Sequence, residues 1–229
     1  MIILGVDSSA TAASASILND GKLLSEVFSD TGLTHSQTLL PMINDCIKNA
    51  GITVEDIDVI AVANGPGSFT GVRIGIATVK GIAFTNDIPC VEVSTLESMA
   101  FNVASFDGVI CSVMDARCNQ VYTAFFETDN YCKVNRLSED DAMSIDKLGE
   151  KIIEMNKKVI FVGDGAQLCY EKLKDKISDV FIAPKHIQKQ RASGVALASM
   201  YKESKSANEV AVNYIRLPQA QRELAKKIK

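Results

Sequence analysis

Two aspartates, two glycine turns and a pair of separated histidines are the residues of this sequence whose types and spacing could do chemistry. Asp7 ends an apolar run at residues 2–6, and Asp115 ends another at 108–114. Carboxylates facing each other across a cleft could hold Mg²⁺ or serve as a base. Each could also simply terminate a strand and cap a turn. Gly65-Pro66-Gly67, followed by Gly71, sits between a β-branched run at 58–64 and a second apolar segment. Free backbone N–H groups at such a strand-to-helix turn can cradle a phosphate. The spacing is nevertheless one residue off the dinucleotide pattern, and no Gly-Lys-Ser/Thr follows it. A tight turn feeding a core helix fits the same residues. Gly163-Asp164-Gly165-Ala166 forms a similar turn later in the chain. His35 opens a helical segment, where a lone histidine is more often a cap or surface residue than a ligand.

The elements that must position these residues follow from hydrophobic periodicity and turn chemistry. Strands are expected at 2–6, 13–18 and 23–28, the last two joined through Asp20-Gly21, a hairpin signal. A helix from Thr34 or Ser36 to Ala50, stopped by Gly51, carries Leu39, Ile43, Cys46, Ile47 and Ala50 on one face. After the strand at 58–64, a helix at 71–84 holds Gly71, Gly75 and Gly81 where another backbone comes close. Residues 91–93 and 95–105 complete the first half as strand and helix. The second half repeats the order: strands at 108–114, 120–127 and 131–137, a helix at 145–155, a strand at 159–162, the glycine turn and a helix to 176. A short strand at 180–182, a helix at 192–204, an extended stretch at 212–216 and a charged tail at 219–229 close the chain. The organisation is thus 1–105, 106–208 and a C-terminal strand and tail at 209–229.

Both central helices carry more apolar surface than one sheet requires. Leu40 and Met42 lie off the stripe of the first helix, and Ile74 and Ile76 add to the second. Such surplus points to a partner surface. The expected interface comprises Leu39, Leu40, Met42, Ile43 and Ile47 with Val72, Ile74, Ile76 and Val79.

At 229 residues and 47% hydrophobic, with net charge −4, the chain has ample material for a core. Its acidity argues against a chain that grips nucleic acid unaided, since that rests on lysine and arginine neutralising phosphates. Local basic clusters at 185–191 and 226–229 read as solvated faces or tails. Six cysteines without a C-x-x-C pair sit mostly in apolar runs and imply reduced thiols and a cytoplasmic address. The start lacks the pattern of a signal peptide, and no run approaches membrane-spanning length.

The run from Asn64 to Gly75, NGPGSFTGVRIG, resembles the signature of the TsaB (YeaZ) family. Further matches are Asp7-Ser8-Ser9, His35-Ser36-Gln37-x-Leu39-Leu40-Pro41, Met114-Asp115-Ala116-Arg117, Gly163-Asp164-Gly165-Ala166 and Tyr214-Ile215-Arg216, spread from end to end. The resemblance implies an α/β fold of two tandem actin-like, RNase H-like halves. Each half would be a mixed sheet with three opening strands, flanked by helices. It also implies a vestigial nucleotide cleft formed by Asp7, Ser8, Ser9, Gly65, Gly67, Asp115, Arg117, Gly163 and Gly165. The related catalytic TsaD proteins carry a His-x-x-x-His metal pair where this chain has Thr95 and Met99. A hydroxyl and a thioether are poor ligands for such metals, so no metal site and no catalytic residues are expected.

The resemblance further implies a non-catalytic scaffold that binds a TsaD-type subunit as a heterodimer. Its role would be in transfer of threonylcarbamoyl to adenosine 37 of ANN-decoding tRNAs. A TsaE-type ATPase would join a larger complex, tRNA would be met only through that complex, and the isolated chain would homodimerise. No cofactor is required, with weak nucleotide binding left open. The rival reading is a small-molecule kinase or ATPase using Asp7 and Asp115 with Mg²⁺. A peptidase is disfavoured by the absence of paired histidines and of a Gly-x-Ser-x-Gly elbow.

Overall fold

The computed structural model describes residues 1–129 and 133–216. The predicted tail at 219–229, its lysines, Cys132 and the first residues of the strand expected at 131–137 lie outside them.

The first sheet grows from the opening hairpins. Strand β1 (Ile2–Asp7) pairs antiparallel with β2 (Ala13–Asn19), which pairs with β3 (Lys22–Ser29). Asp20 and Gly21 both take positive φ, 48° and 79°, the conformation a two-residue hairpin turn demands. β1 also runs parallel to β4 (Val59–Gly65), and β4 to β5 (Cys90–Ser94), so the order is β3-β2-β1-β4-β5. Helices α1 (His35–Ala50) and α2 (Phe69–Asn86) lie side by side on one face of this sheet. Gly51 caps α1 in the left-handed conformation, and the Ser68 hydroxyl caps α2 by accepting from Gly71 N–H.

The second sheet repeats the plan with β6 (Val109–Asp115), β7 (Gln120–Thr128), β8 (Val134–Arg136), β10 (Val159–Val162) and β11 (Val180–Ile182), in the order β11-β10-β6-β7-β8. The strand β9 (Asp141–Ser144), which no sequence signal marked, pairs with the other end of β7. Helices α4 (Ile145–Met155) and α5 (Ala166–Leu173) cover its outer face.

Two short helices cross the sequence boundary near residue 105. α3 (Thr95–Ala100), from the first half, packs Leu96, Met99 and Ala100 onto the second sheet. α6 (Ala192–Ser199), from the second half, packs Val195, Ala196 and Ala198 onto the first. Small residues let them approach: a Cβ on Gly194 would strike the Ser98 carbonyl, and one on Gly5 would strike that of Ala192. The helix expected at 95–105 passes from α3 into a single 3-10 turn at Phe101–Val103, and the one expected at 192–204 ends at Ser199. Residues 211–216 form no sheet strand, although Asn213 N–H bonds the Asn64 carbonyl at 2.8 Å.

The glycines of α2 divide into two kinds. Added Cβ atoms at Gly71 and Gly75 would meet the Ser8 carbonyl and, at 2.5 Å, the Ser8 hydroxyl, whereas Gly81 has nothing within 4 Å and is exposed. The close-approach reading therefore fails at Gly81, which lies on the solvent side. Alanine is the better helix former by about 1 kcal/mol. Gly81→Ala is accordingly expected to raise stability by up to about 1 kcal/mol. Gly71→Ala, which overpacks against fixed backbone, should lower it by about 1–3 kcal/mol or more. Urea unfolding of the two variants reads the opposite signs.

Candidate functional site

The carboxyl ends of β1 and β6 and the turn after β10 bring Asp7, Asp115 and Asp164 to the junction of the two sheets. Their charges are coupled: Asp164 is felt by Asp7, and Asp115 by Asp164. The chain around Asp7 leaves no open phosphate cradle. Asp7 is 1% exposed. Its Oδ1 accepts from Ser9 N–H at 2.8 Å and Ser9 Oγ at 2.7 Å, and its Oδ2 is buried without a hydrogen-bond partner. Burial pushes this carboxyl up to about 6, against the lowering effect of the Ser9 bonds.

The turn that follows is seated on the glycine motif. Ser8 Oγ donates to the Gly71 carbonyl at 2.9 Å, Ser68 N–H donates to the Ser9 carbonyl at 2.7 Å, and a Cβ on Gly67 would strike that same carbonyl. Gly65, at φ 121°, meets the other side of the fold, where an added Cβ would lie 2.6 Å from the Asn213 carbonyl. These glycines are contact points between segments of the chain. The space a phosphate would use against the motif is filled by Ser8 and Ser9.

In the second lobe Asp115 is exposed, and its Oδ1 accepts from Arg117 N–H at 2.8 Å. Arg117, Cys118 and Asn119 all adopt positive φ in this turn. Gly163 lies against the Val113 carbonyl and the Met99 sulfur, and Gly165 against the backbone of Met114 and Asp115. Asp164 is held up chiefly by burial, eased by Gln190 Nε2 donating to its Oδ1 at 3.2 Å. Groups whose charged forms are disfavoured by burial are ill suited to gather a nucleotide-bound cation. Among the described residues no cluster of three or more histidine, cysteine or acidic side chains could hold a metal. The buried Asp7 therefore does not fit the paired-carboxylate Mg²⁺ site of the kinase reading, while Asp115 stays exposed.

His35 Nε2 lies 2.7 Å from the Ala10 carbonyl, which can only accept, so the imidazole donates and ties α1 to the β1–β2 turn. Thr95 and Met99 are both fully buried on α3, and Met99 packs into the second-lobe core. At the positions of the TsaD histidine pair this chain has packing.

The expected interface needs the largest correction. Leu39, Met42, Ile43, Ile47, Val72, Ile76 and Val79 are each 8% exposed or less and belong to the chain's own first-lobe core. α1 and α2 pack on the sheet and also on each other, so each helix buries a wider arc than a sheet-facing stripe. Leu40 (49% exposed) and half-buried Ile74 remain outward, and they are joined by Ala77 and by Phe84 at 76%. Phe84 was missed. Its signal is the spacing Ile74, Ala77, Gly81, Phe84, which continues one face of α2 to its end.

Sequence reasoning also missed an open groove of about 480 Å³ between α3, β8 and the chain after α6. Arg136 bonds Glu97 at 3.2 Å and Asp140 at 2.6 Å, Lys202 pairs with Glu97 at 3.0 Å, and Ser94 Oγ donates to Asp140 at 2.6 Å. Partners up to about a hundred residues apart leave no local pattern to find. Two members of the basic cluster at 185–191 are likewise engaged within the fold: Lys189 pairs with Asp30, and Arg191 with Glu26.

A family model described as TsaD, tRNA N6-adenosine threonylcarbamoyltransferase, matches residues 29–224. Over 222 residues, 96% of each chain, the protein is 31% identical to the tRNA threonylcarbamoyladenosine biosynthesis protein TsaB of Bacillus subtilis (strain 168). The chain belongs to the TsaB (YeaZ) family. A solved structure from Pseudomonas aeruginosa, described as an uncharacterized protein with similarity to peptidase YEAZ, superposes with TM-score 0.80. It is 24% identical, covering 94% of this chain and 99% of its own. The (R)-2-hydroxyglutaryl-CoA dehydratase component A of Acidaminococcus fermentans shares the fold more distantly, at TM-score 0.51 and 14% identity over 86% of this chain and 97% of its own. The fold is thus the actin-like one of two mixed sheets flanked by helices.

The Asp7 carboxyl generates a test of its burial. Its folded value, about 6, lies above the ordinary 3.8, so its contribution favours the fold at low pH and is lost as pH rises through about 6. Asp7→Asn removes the buried charge. It is expected to stabilise the protein by about 1–3 kcal/mol above pH 7, with the gain shrinking below pH 6. Thermal unfolding across pH 4.5 to 8 measures it.

Proposed function

We propose that this TsaB-family chain is a non-catalytic scaffold that docks on a TsaD-type catalytic subunit through the outward strip of α1 and α2. One observation carries the reading. On the two helices with surplus apolar surface, Leu40, Ala77 and Phe84 are exposed and Ile74 is only half-covered by the chain's own fold. Exposed side chains the size of Leu40 and Phe84 contribute about 1.5–3 kcal/mol each when fully buried, with smaller additions from Ala77 and the half-buried Ile74, which favours a helix pair from a partner laid against them. The absence of histidines at Thr95 and Met99 supports leaving the chemistry to the partner. The complex would form threonylcarbamoyladenosine at adenosine 37 of ANN-decoding tRNAs, with a TsaE-type ATPase as a further member.

In isolation the same strip would meet its own copy across a two-fold axis. The scaffold needs no cofactor of its own and would work in the cytoplasm. Among the described residues no helix is long and apolar enough to cross a membrane. Leu40→Asp and Phe84→Asp alter exposed positions, so the thermal midpoint should change little. Both variants are expected to run as monomers in light scattering and to lose co-elution with the catalytic subunit. Retained co-elution in both would remove the proposal.

A further inference from the structure

Four arginines of the described residues lie over aromatic rings, and they fall into two classes. Arg136 over Phe126 and Arg191 over Phe28 are also closed by carboxylates, Glu97 and Asp140 for the first and Glu26 for the second. Arg73 and Arg216 are not. Arg73 Nε donates to the Tyr214 hydroxyl at 2.7 Å with its guanidinium 5.6 Å from that ring, and Arg216 lies 5.6 Å over Tyr122. Tyr214 in turn stacks on Phe69 at 5.2 Å and 25°. Neither guanidinium has an ion pair among the described residues.

These side chains form one surface at the lobe junction. Phe69 and Arg73 come from the first two turns of α2, Tyr214 and Arg216 from the C-terminal segment, and Tyr122 from the second sheet. The segment is held in place by Asn213 N–H on the Asn64 carbonyl and by Asn64 Nδ2 on the Ala211 carbonyl. Tyr214 is 43% exposed. Of the acids lining the neighbouring groove, Glu92, Glu97 and Asp140 are each engaged by a lysine or arginine, and Glu139 is exposed.

We infer that Arg73, Arg216, Phe69, Tyr122 and Tyr214 form a contact platform for single-stranded RNA. The arginines would neutralise phosphates while an unstacked base lies on the aromatic faces. Two planar cations without an ion pair, beside the exposed Tyr214 ring and the partly buried rings of Phe69 and Tyr122, match the two things an unpaired RNA strand offers, charge and π faces. An acidic protein segment would need the cations but not the rings. With net charge −4 on the whole chain, the contact is local and adds to RNA binding by a partner. Its place in tRNA modification rests on the function proposed above; the platform itself does not.

The test has two arms. The chain alone, at low salt, is titrated into a fluorescent single-stranded RNA oligonucleotide, and its complex with the catalytic subunit into unmodified tRNA. Arg73→Gln and Arg216→Gln are expected to weaken binding about three- to tenfold each in both arms. Each should also make the log–log salt dependence shallower by about 0.7. Tyr214→Phe, which keeps the ring stack, should bind nearly as the natural chain does. Thermal midpoints and co-elution with the catalytic subunit should be unchanged. Equal RNA affinity and salt slope in the natural chain and the double variant would overturn the platform. So would loss of subunit pairing in the arginine variants, which would make the surface a protein contact. If the natural chain fails to pair with the catalytic subunit, the scaffold reading falls while the oligonucleotide arm still decides the platform.

Discussion

The seating of the Asp7-Ser8-Ser9 turn on the backbone of Gly67, Gly71 and Gly75 is the contact on which the first lobe depends. Three glycines without side chains let a turn and a helix approach until Ser8 Oγ reaches the Gly71 carbonyl and Ser68 N–H reaches the Ser9 carbonyl. A Cβ at Gly67 or Gly71 meets backbone, which cannot swing aside as a side chain can, and one at Gly75 meets the Ser8 hydroxyl. The approach also seals Asp7 from water. A carboxylate so buried, with one oxygen unpartnered, carries a desolvation cost that the two Ser9 bonds offset only in part.

The same economy of side chains joins the lobes. Gly194 against Ser98 and Gly5 against Ala192 allow α6 and α3 to pass between the sheets, each covering the sheet encoded by the other half. The exchange also fills the α3 position with Met99, whose sulfur lies against Gly163 at the second glycine turn. At this part of the junction the contacts are packing contacts. Apolar surface remains outside, on α1 and α2, and the unpaired cations remain at the edge where the C-terminal segment crosses.

Much of the fold was legible. α4 occupies the predicted residues 145–155, and the strands at 159–162 and 180–182 fall where the β-branched runs lie. Caps explain this precision: Ser144, Gly51 and Asp20-Gly21 are local signals read within a few residues. β9 escaped because four residues with one buried side chain, Met143, make no pattern. The outward positions of the central helices were legible only in part. Leu40 was correctly set apart from the stripe, but Met42 and Ile76 were not recognised as core, since the burying neighbour is another helix some thirty residues distant.

By itself the sequence determined the order of elements, the turn chemistry, the family signature and the presence of Thr95 and Met99, not histidines, at those two positions. These depend on residue identity and on neighbours within one or two turns. Tertiary structure alone decided which apolar arcs are sheathed, that Gly71 is a contact while Gly81 is free, and that Arg136 is neutralised while Arg73 is not. Burial and pairing are properties of what arrives from elsewhere in the chain. A periodic pattern states that a helix has an apolar face, but not how many surfaces will come to cover it.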